Sequence, residues 1–341
     1  MKILIVASTM VHINNFHLPY IDRFKKEGNQ VYIMANGEGA DFNIPFKKCS
    51  LSLKNLSLAG KIKKILIKED FDVVYLHTTL AAFWVRFAMR GLKKRPFTVN
   101  TVHGYLFGKE KTLKNKIYLA CESFLKNQTD RIIVMNKEDY EIAMANKLSS
   151  GDVHFSHGMG VSLSGKTVNK APKSNDKINL IFVGEISKRK NQEFLVKCME
   201  KLPNHTLTLV GDGDERGRIE KLIKASGLGE RVIITGFTKN VYEYIEKADI
   251  YVSASKIEGL PFNIMEAMYS KMNIIASDIK GHRDLLPEEC LYPLNDEKAF
   301  IEALLNASIA DREYDLESYK IESALEENMR LYSVERDLIR A

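Results

Sequence analysis

The stretch SASKIEGLPFNIMEAMYSKMNIIAS (residues 253–277) sets two carboxylates, Glu258 and Glu266, on either side of a helix start within an otherwise apolar segment. Pro261 suits the first turn of a helix, where its missing N–H costs nothing. That leaves Glu258 in the preceding loop and puts Glu266 one to two turns into the helix. The first-turn N–H groups of Phe262 and Asn263 have no acceptor within the helix, an arrangement that suits a phosphate at the helix tip. The two carboxylates would accept hydrogen bonds from the hydroxyls of a ribose and of a sugar. A plain alternative is one capping Glu and one ordinary helical Glu. The run NIMEAMYS reads as buried, however, and an unpaired carboxylate there would be costly, which favours a ligand. The apolar run NIIAS (273–277) then reads as a strand, so the segment is a loop, helix and strand of an α/β layer.

The same alternation extends over the chain. Strand-like runs fall at 2–7, 30–34, 72–77, 97–103 and 131–135, and again at 178–184, 205–211, 231–236, 249–254 and 273–277. Longer helical patterns such as NNFHLPYIDRFKKEG and NQEFLVKCMEKL separate them. This is the pattern of parallel sheets covered by helices. The stretch SLSGKTVNKAPKSNDK (162–177) is rich in Ser, Lys, Asn, Gly and Pro and reads as a linker. The expected fold is two doubly wound Rossmann-like α/β domains facing across a cleft. The first would span residues 1–165 and the second 172–318. A polar C-terminal helix, 319–341, would return towards the first domain. Open α/β sheets bind ligands at the carboxyl ends of their strands, so motifs just after strands carry the most weight.

Several such positions stand out. Gly184 and Glu185 follow the strand at 178–184, and Lys188, Arg189 and Lys190 precede a helix beginning near Asn191. Helix N-termini attract anions, and ammonium groups beside them strengthen the attraction. The GDGDERG run after 205–211 has GxGxxxG spacing rather than the dinucleotide fingerprint; it reads as a turn with Asp212 or Asp214 capping the next helix. Gly236-Phe237 follows 231–236, where a base could approach the backbone and stack on the ring. In the first half, His103 follows a strand, with Tyr105 and Phe107 beyond it, and is placed to act as a polar or acid–base group. His12 and His17 lie in and beyond the first strand-to-helix loop.

Bulk properties narrow the class. The chain has 341 residues, 45% hydrophobic and 28% charged, which is ordinary for a globular protein. Cys49, Cys121, Cys198 and Cys290 show no metal-ligand spacing and fit free thiols in a reducing, cytoplasmic setting. No apolar run approaches the roughly 18–20 residues of a membrane span, and MKILIVAST reads as a buried first strand rather than a signal peptide. Residues 1–170 carry 26 Lys+Arg against 14 Asp+Glu, while residues 171–341 carry 24 against 30, giving +12 and −6. A basic first half is either solvated surface or a face for something anionic, such as a membrane. Within it, Trp84 in LAAFWVRFAM (80–89) lies between KIKKILIK (61–68) and RGLKKRP (90–96), a mixture that suits a membrane interface or a helix packed on its own sheet.

Taken together, FVGEISKRKNQEFLVKCME, LTLVGDGDERGRIEKLI, RVIITGFTKNVYEYIEKADIYVSASKIEGLPFNIMEAM and IIASDIKGHRDLL resemble the retaining GT-B glycosyltransferases of family 4. FHLPY, VHGYLFG, MNKEDYEIA and HGMGV extend the resemblance over nearly the whole chain, towards the capsule and exopolysaccharide branch. The E-x7-E pattern is Glu258 to Glu266. The resemblance implies that Lys190 holds the donor diphosphate, Glu266 the ribose and Glu258 the donor sugar region. It also implies that the backbone from Gly259 through Leu260 meets the distal phosphate and sugar, and that Gly236-Phe237 lies by the base. His103, Glu258 and Lys190 would form the catalytic set, with His12 and Tyr105 on the acceptor side. Glu185 stands where many members have Arg, so Lys190 would carry more of the diphosphate charge unless Lys188 or Arg189 helps; Ser162 stands where Asp is usual. No metal or other cofactor is implied.

The expected activity is hexosyl or N-acetylhexosaminyl transfer from a UDP-sugar to a lipid-linked saccharide at the inner face of the plasma membrane, without nucleic acid. The alternatives are a dinucleotide-dependent oxidoreductase or epimerase and a non-catalytic nucleotide-sugar-binding protein. ASTMVHINNF, with no glycine after the first strand, argues against the former. Lys190, Glu258 and Glu266 together argue against the latter.

Overall fold

The computed structural model describes residues 1–46, 53–162 and 177–334. The chain divides into two compact units, Met1–Gly160 with Ile321–Ala341, and Val161–Lys320. Most of the linker stretch, and Cys49, lie outside the described residues.

The first unit holds a parallel sheet of β1 (Lys2–Thr9), β2 (Gln30–Asn36), β3 (Phe42–Asn43), β4 (Val73–His77), β5 (Phe97–Val102), β6 (Arg131–Val134) and β7 (Asp152–Phe155). The strand order is β3-β2-β1-β4-β5-β6-β7. The central strands are buried on both faces, as β4 is at every residue, which is why they read as continuous apolar runs. The order reverses between β1 and β4, so the crossovers leave a crevice at their carboxyl ends. Trp84 is 5% exposed within the helix Thr79–Met89 and packs into a core with Leu4, Val74 and Leu76. Of the two readings of Trp84, packing on its own sheet is therefore the one that holds. Lys94 pairs with Asp70 and Arg95 with Asp130, so two cations of RGLKKRP already have local counter-ions.

The segment NNFHLPYIDRF forms two helices, Met10–Phe16 and Leu18–Lys26, with His17 as the joint. Pro19 explains the break: it belongs in a first turn, and within a continuous helix it would remove a hydrogen bond and clash. At the other end of the unit, the helix Ile321–Tyr332 docks on the first sheet's layer. Tyr75 donates to the Tyr332 carbonyl at 2.7 Å, Asn328 Nδ2 to the Gly158 carbonyl at 2.6 Å, and Arg131 to the Leu331 carbonyl at 2.7 Å. The Tyr332 ring lies 4.8 Å from that of Tyr75. A buried bidentate pair, Arg86 to Glu122 at 2.9 and 3.0 Å, ties the helix Thr79–Met89 to Leu113–Phe124.

The second unit holds β8 (Ile178–Val183), β9 (His205–Val210), β10 (Val232–Gly236), β11 (Ile250–Ser253), β12 (Asn273–Ser277) and β13 (Leu291–Tyr292). The order is β10-β9-β8-β11-β12-β13, again parallel. Here the reversal lies between β8 and β11. The loops after those two strands carry Lys188–Lys190 and Glu258 respectively. No helix among the described residues is long and apolar enough to cross a membrane.

Candidate active site

In the second unit, the loop after β8 turns back on itself before the helix Gln192–Cys198. Gln192 fastens it at both ends: its Oε1 accepts from Ser187 N at 3.2 Å and its Nε2 donates to the Glu185 carbonyl at 2.8 Å. The loop after β11 is pinned to it by a backbone bond from Lys256 N to the Arg189 carbonyl at 2.8 Å. Between the two loops sits Glu258, 7% exposed. Lys190 Nζ lies 2.7 Å from its Oε1, and Arg189 donates to its Oε2 at 2.7 Å. Arg189 is thus the second cation of this cluster. Lys188 is exposed and 4.0 Å from Glu215, outside it. Glu185 is exposed.

Burial opposes ionisation of Glu258, but Lys190 and then Arg189 outweigh it and hold the carboxyl below its ordinary range. Burial likewise pushes the Lys190 ammonium down, and Glu258 offsets only part of that. Two cations facing one carboxylate leave this cluster with an excess positive charge, which a phosphate can neutralise.

The helix Phe262–Tyr269 begins after Pro261, which takes the N-cap position rather than the first turn. Asn263 Nδ2 donates to the Val183 carbonyl at 2.7 Å and to the Tyr251 hydroxyl at 2.6 Å. Its side chain therefore ties the helix start to the end of β8 and to β11. Leu260 is buried and Phe262 half-buried. Glu266 is half-buried on a helix whose Ile264, Met265, Ala267 and Met268 face the core. Gly281, at φ 81°, lets the β12 loop pack on Gly259: a Cβ there would come within 2.6 Å of the Gly259 carbonyl oxygen. Next to it, His282 is fully buried, with Nδ1 2.7 Å from the Ser277 carbonyl oxygen. Burial pushes the His282 imidazole down to about 4. Its Nε2 lies 3.4 Å from Ser253 Oγ at the end of β11; His282 was not singled out in the sequence, although it lies in the loop after a strand and met the same positional rule.

The GDGD loop has a packing role. A Cβ at Gly211 would collide with the Gly184 carbonyl, so this glycine lets the β9 loop lie against the β8 loop. Asp212 accepts from Gly213 N and pairs with Arg216. Glu215, not Asp212 or Asp214, takes the N-cap position of the helix Arg216–Ala225, and its side chain makes no capping bond. Gly236 closes β10, and Phe237 beyond it is 79% exposed.

In the first unit, His12, His17, His77 and His103 gather at the ends of β1, β4 and β5. His77 Nδ1 and His103 Nε2 are 3.2 Å apart, and the rings of His17 and His77 are 3.9 Å apart. Burial is the main cause pushing His12 to about 4 and His103 to about 3, and it holds His17 and His77 well below their ordinary value, aided by neighbouring imidazoles. The cluster is therefore neutral at physiological pH. Tyr105 is 2% exposed, in a core cluster with Val102, Phe107 and Ile132, and its N–H donates to Asp139 at 2.9 Å. Its buried side chain packs the core and offers an acceptor no surface.

Two family models match, "Glycosyl transferases group 1" over residues 165–316 and "Glycosyltransferase Family 4" over residues 20–155. The Bacillus subtilis (strain 168) protein "Putative glycosyltransferase EpsD" is 30% identical over 307 residues, covering 84% of this chain and 81% of that protein. The chain belongs to glycosyltransferase family 4. An Escherichia coli UDP-Gal:alpha-D-GlcNAc-diphosphoundecaprenol alpha-1,3-galactosyltransferase is 27% identical over 282 residues, covering 75% of this chain and 72% of that enzyme. Anabaena Alr3699/HepE, in complex with UDP-glucose, shares the fold with a TM-score of 0.69 at 17% identity, covering 97% of this chain and 95% of that one. This family 4 chain has the GT-B fold, with its two parallel-sheet units, and its activity is glycosyl transfer. The oxidoreductase and epimerase reading falls away.

Replacing Glu258 in this glycosyltransferase strands two cations, one of them buried. Glu258→Gln is expected to destabilise the protein at neutral pH by about 3 kcal/mol. Because the folded carboxyl titrates below its unfolded value of 4.5, its stabilisation is complete above that pH and is lost as pH falls through the folded value. Urea unfolding across pH should therefore show the wild-type advantage shrinking below about pH 4.5; a constant difference down to pH 3 would contradict the assignment.

Proposed function

We propose that the protein is a retaining glycosyltransferase. It moves a hexosyl or N-acetylhexosaminyl residue from a UDP-sugar to a lipid-linked saccharide in surface polysaccharide synthesis, with no metal in the transfer step. The observation that carries this reading is the Lys190–Glu258–Arg189 cluster at the β8/β11 reversal, ahead of the helix Phe262–Tyr269. Two cations and a helix N-terminus converge where an α/β sheet takes its nucleotide. The UDP-dependent relatives by name support a UDP-sugar donor, and the diphosphoundecaprenol-linked relative supports a lipid-linked acceptor.

In this reading the diphosphate meets Lys190 and Arg189, and Glu258 keeps the buried ammonium charged until it arrives. Glu266 accepts from the ribose hydroxyls, the exposed Phe237 ring and Gly236 receive the base, and the Gly259–Leu260 backbone approaches the distal phosphate. Glu258 also borders the donor sugar. An acceptor hydroxyl attacks the anomeric carbon on the face from which UDP departs. The new glycosidic C–O bond forms as the bond to the phosphate oxygen breaks, and the hydroxyl proton passes to that oxygen. The cations and helix N-terminus stabilise the charge that develops on the leaving diphosphate. His103 lines the acceptor side in the first unit, with His12 beside it.

The direct test incubates the protein with a panel of UDP-sugars and undecaprenyl-diphosphate-linked N-acetylglucosamine, and reads the product's anomeric configuration by NMR. Transfer with retention, persisting in excess EDTA, is expected. Glu266→Ala should weaken UDP binding by about 1.5–3 kcal/mol through the lost ribose contact. An inverted product, EDTA-sensitive transfer, or unchanged UDP binding in that variant would each overturn the corresponding part.

The acceptor's lipid implies a membrane, and one exposed face fits one. Along the helix Leu113–Phe124, Leu113, Ile117 and Phe124 form an exposed apolar stripe at helical spacing, 75%, 54% and 50% exposed. Lys111, Lys114, Lys116 and Lys126 are exposed around it, and the Arg90 guanidinium stacks 3.9 Å from the Phe124 ring. Apolar residues flanked by lysines suit an anionic bilayer surface, at about 1 kcal/mol per cation. Sedimentation with phosphatidylglycerol vesicles should capture the protein at low salt and release it at about 1 M salt, where screening is nearly complete. Leu113→Ser/Ile117→Ser should reduce capture while UDP binding is retained. Equal capture by neutral vesicles would remove the electrostatic part of this reading.

A further inference from the structure

The mechanism above uses His103 and leaves three other histidines unexplained. His12, His17 and His103 each present one ring nitrogen, and the three nitrogens lie within 4.8 Å of one another. They come from separate places in the sequence. His12 is on the helix after β1, His17 is the joint before Leu18, and His103 directly follows β5. The strand order brings them together, because β1 and β5 flank β4. His17 is 1% exposed. Its Nε2 and that of His12 are buried and have no hydrogen-bond partner. Buried polar atoms are nearly always satisfied, so two orphaned nitrogens in one small space point to an occupant.

The chemistry of the donor set narrows that occupant. An imidazole ring nitrogen with no hydrogen-bond partner offers a lone pair to a metal ion. No carboxylate belongs to the set, which disfavours calcium and magnesium. Three imidazoles are a common nitrogen set for zinc, with ligands at about 2.0–2.1 Å and so roughly 3.4 Å apart in a tetrahedron. His77, 3.2 Å from His103, supplies the outer hydrogen bond that orients a metal-ligating imidazole.

We propose that His12, His17 and His103 form a binding site for a divalent d-block cation of the Zn²⁺ type, with a fourth position open. Occupancy ties up the imidazole that the acceptor-side reading assigns to His103, so the ion acts as an inhibitor of transfer rather than as its cofactor. That inhibitory consequence rests on the proposed role of His103; the site itself does not.

Equilibrium dialysis of the full chain against ZnCl₂, with bound metal read by atomic emission, separates the two. The wild type should hold one equivalent that is lost in His12→Ala and in His17→Ala. His154→Ala, which removes a half-buried histidine outside the cluster, paired with Asp152, should keep it. His12 is only half-buried, so that variant folds even if removal of the buried His17 does not, as circular dichroism will report. Unchanged stoichiometry in His12→Ala, or loss in His154→Ala alone, would overturn the site. Zn²⁺ should also suppress sugar transfer by the wild type, reversibly with EDTA. Binding without suppression would overturn the inhibitory role and leave the site standing.

Discussion

A single buried carboxylate organises the loops at the strand-order reversal of the second unit. Glu258 sits between two loops that are far apart in sequence, and its ion pairs with Lys190 and Arg189 hold those loops in register. Without it, a buried ammonium would face no counter-ion, and burial would drive it towards neutrality. Much of the surrounding detail serves this contact. Gln192 braces the cationic loop from inside. Gly281 and His282 bring the β12 loop under Gly259. Asn263 fastens the helix start to β8 and β11. A phosphate recruited by such a cluster meets charges that are already placed, so little reorganisation is needed on binding.

The sheet topology puts chemistry at the corresponding place in each unit. In both sheets the strand order reverses once in the middle, at β1/β4 and at β8/β11. The carboxyl ends there cannot be covered by a crossover helix. The second unit fills its reversal with cations and a carboxylate; the first fills it with imidazoles. The contrast in chemistry is what the proposed division of labour, between binding a diphosphate and handling a neutral hydroxyl, would require. Exposed cations of the basic first half lie on several elements, among them Lys111, Lys114, Lys116 and Lys126 around the helix Leu113–Phe124, and none belongs to the histidine cluster.

Much of this was legible in the sequence, for a reason. Strands buried on both faces must be apolar along their length, so the central strands announced themselves as runs. The strands that went unread, β3, β7 and β13, are all at sheet edges. β3 and β13 are two residues long, and DVHF of β7 is half-buried throughout and has no apolar run to notice. Lys190, Glu258 and Glu266 were visible because each follows a strand or a helix start. Arg189 as the second cation was left open, because its pairing with Glu258 spans 69 positions and no spacing rule reaches that far. The same holds for His77, whose partner His103 is set by strand order; His282 met the positional rule and was passed over. Trp84 was readable either way because basic runs flank it: the helix carrying it is apolar enough to be core, and core it is.

The central claim is that Lys190 and its counter-ion form the diphosphate site of a nucleotide-sugar donor. Calorimetric titration of uridine, UMP and UDP into the wild type and Lys190→Met tests it most directly. If the claim holds, the wild type gains affinity with each phosphate, and the variant keeps its uridine affinity while losing most of the gain from UMP to UDP. A variant whose UDP advantage over UMP matches that of the wild type would contradict it.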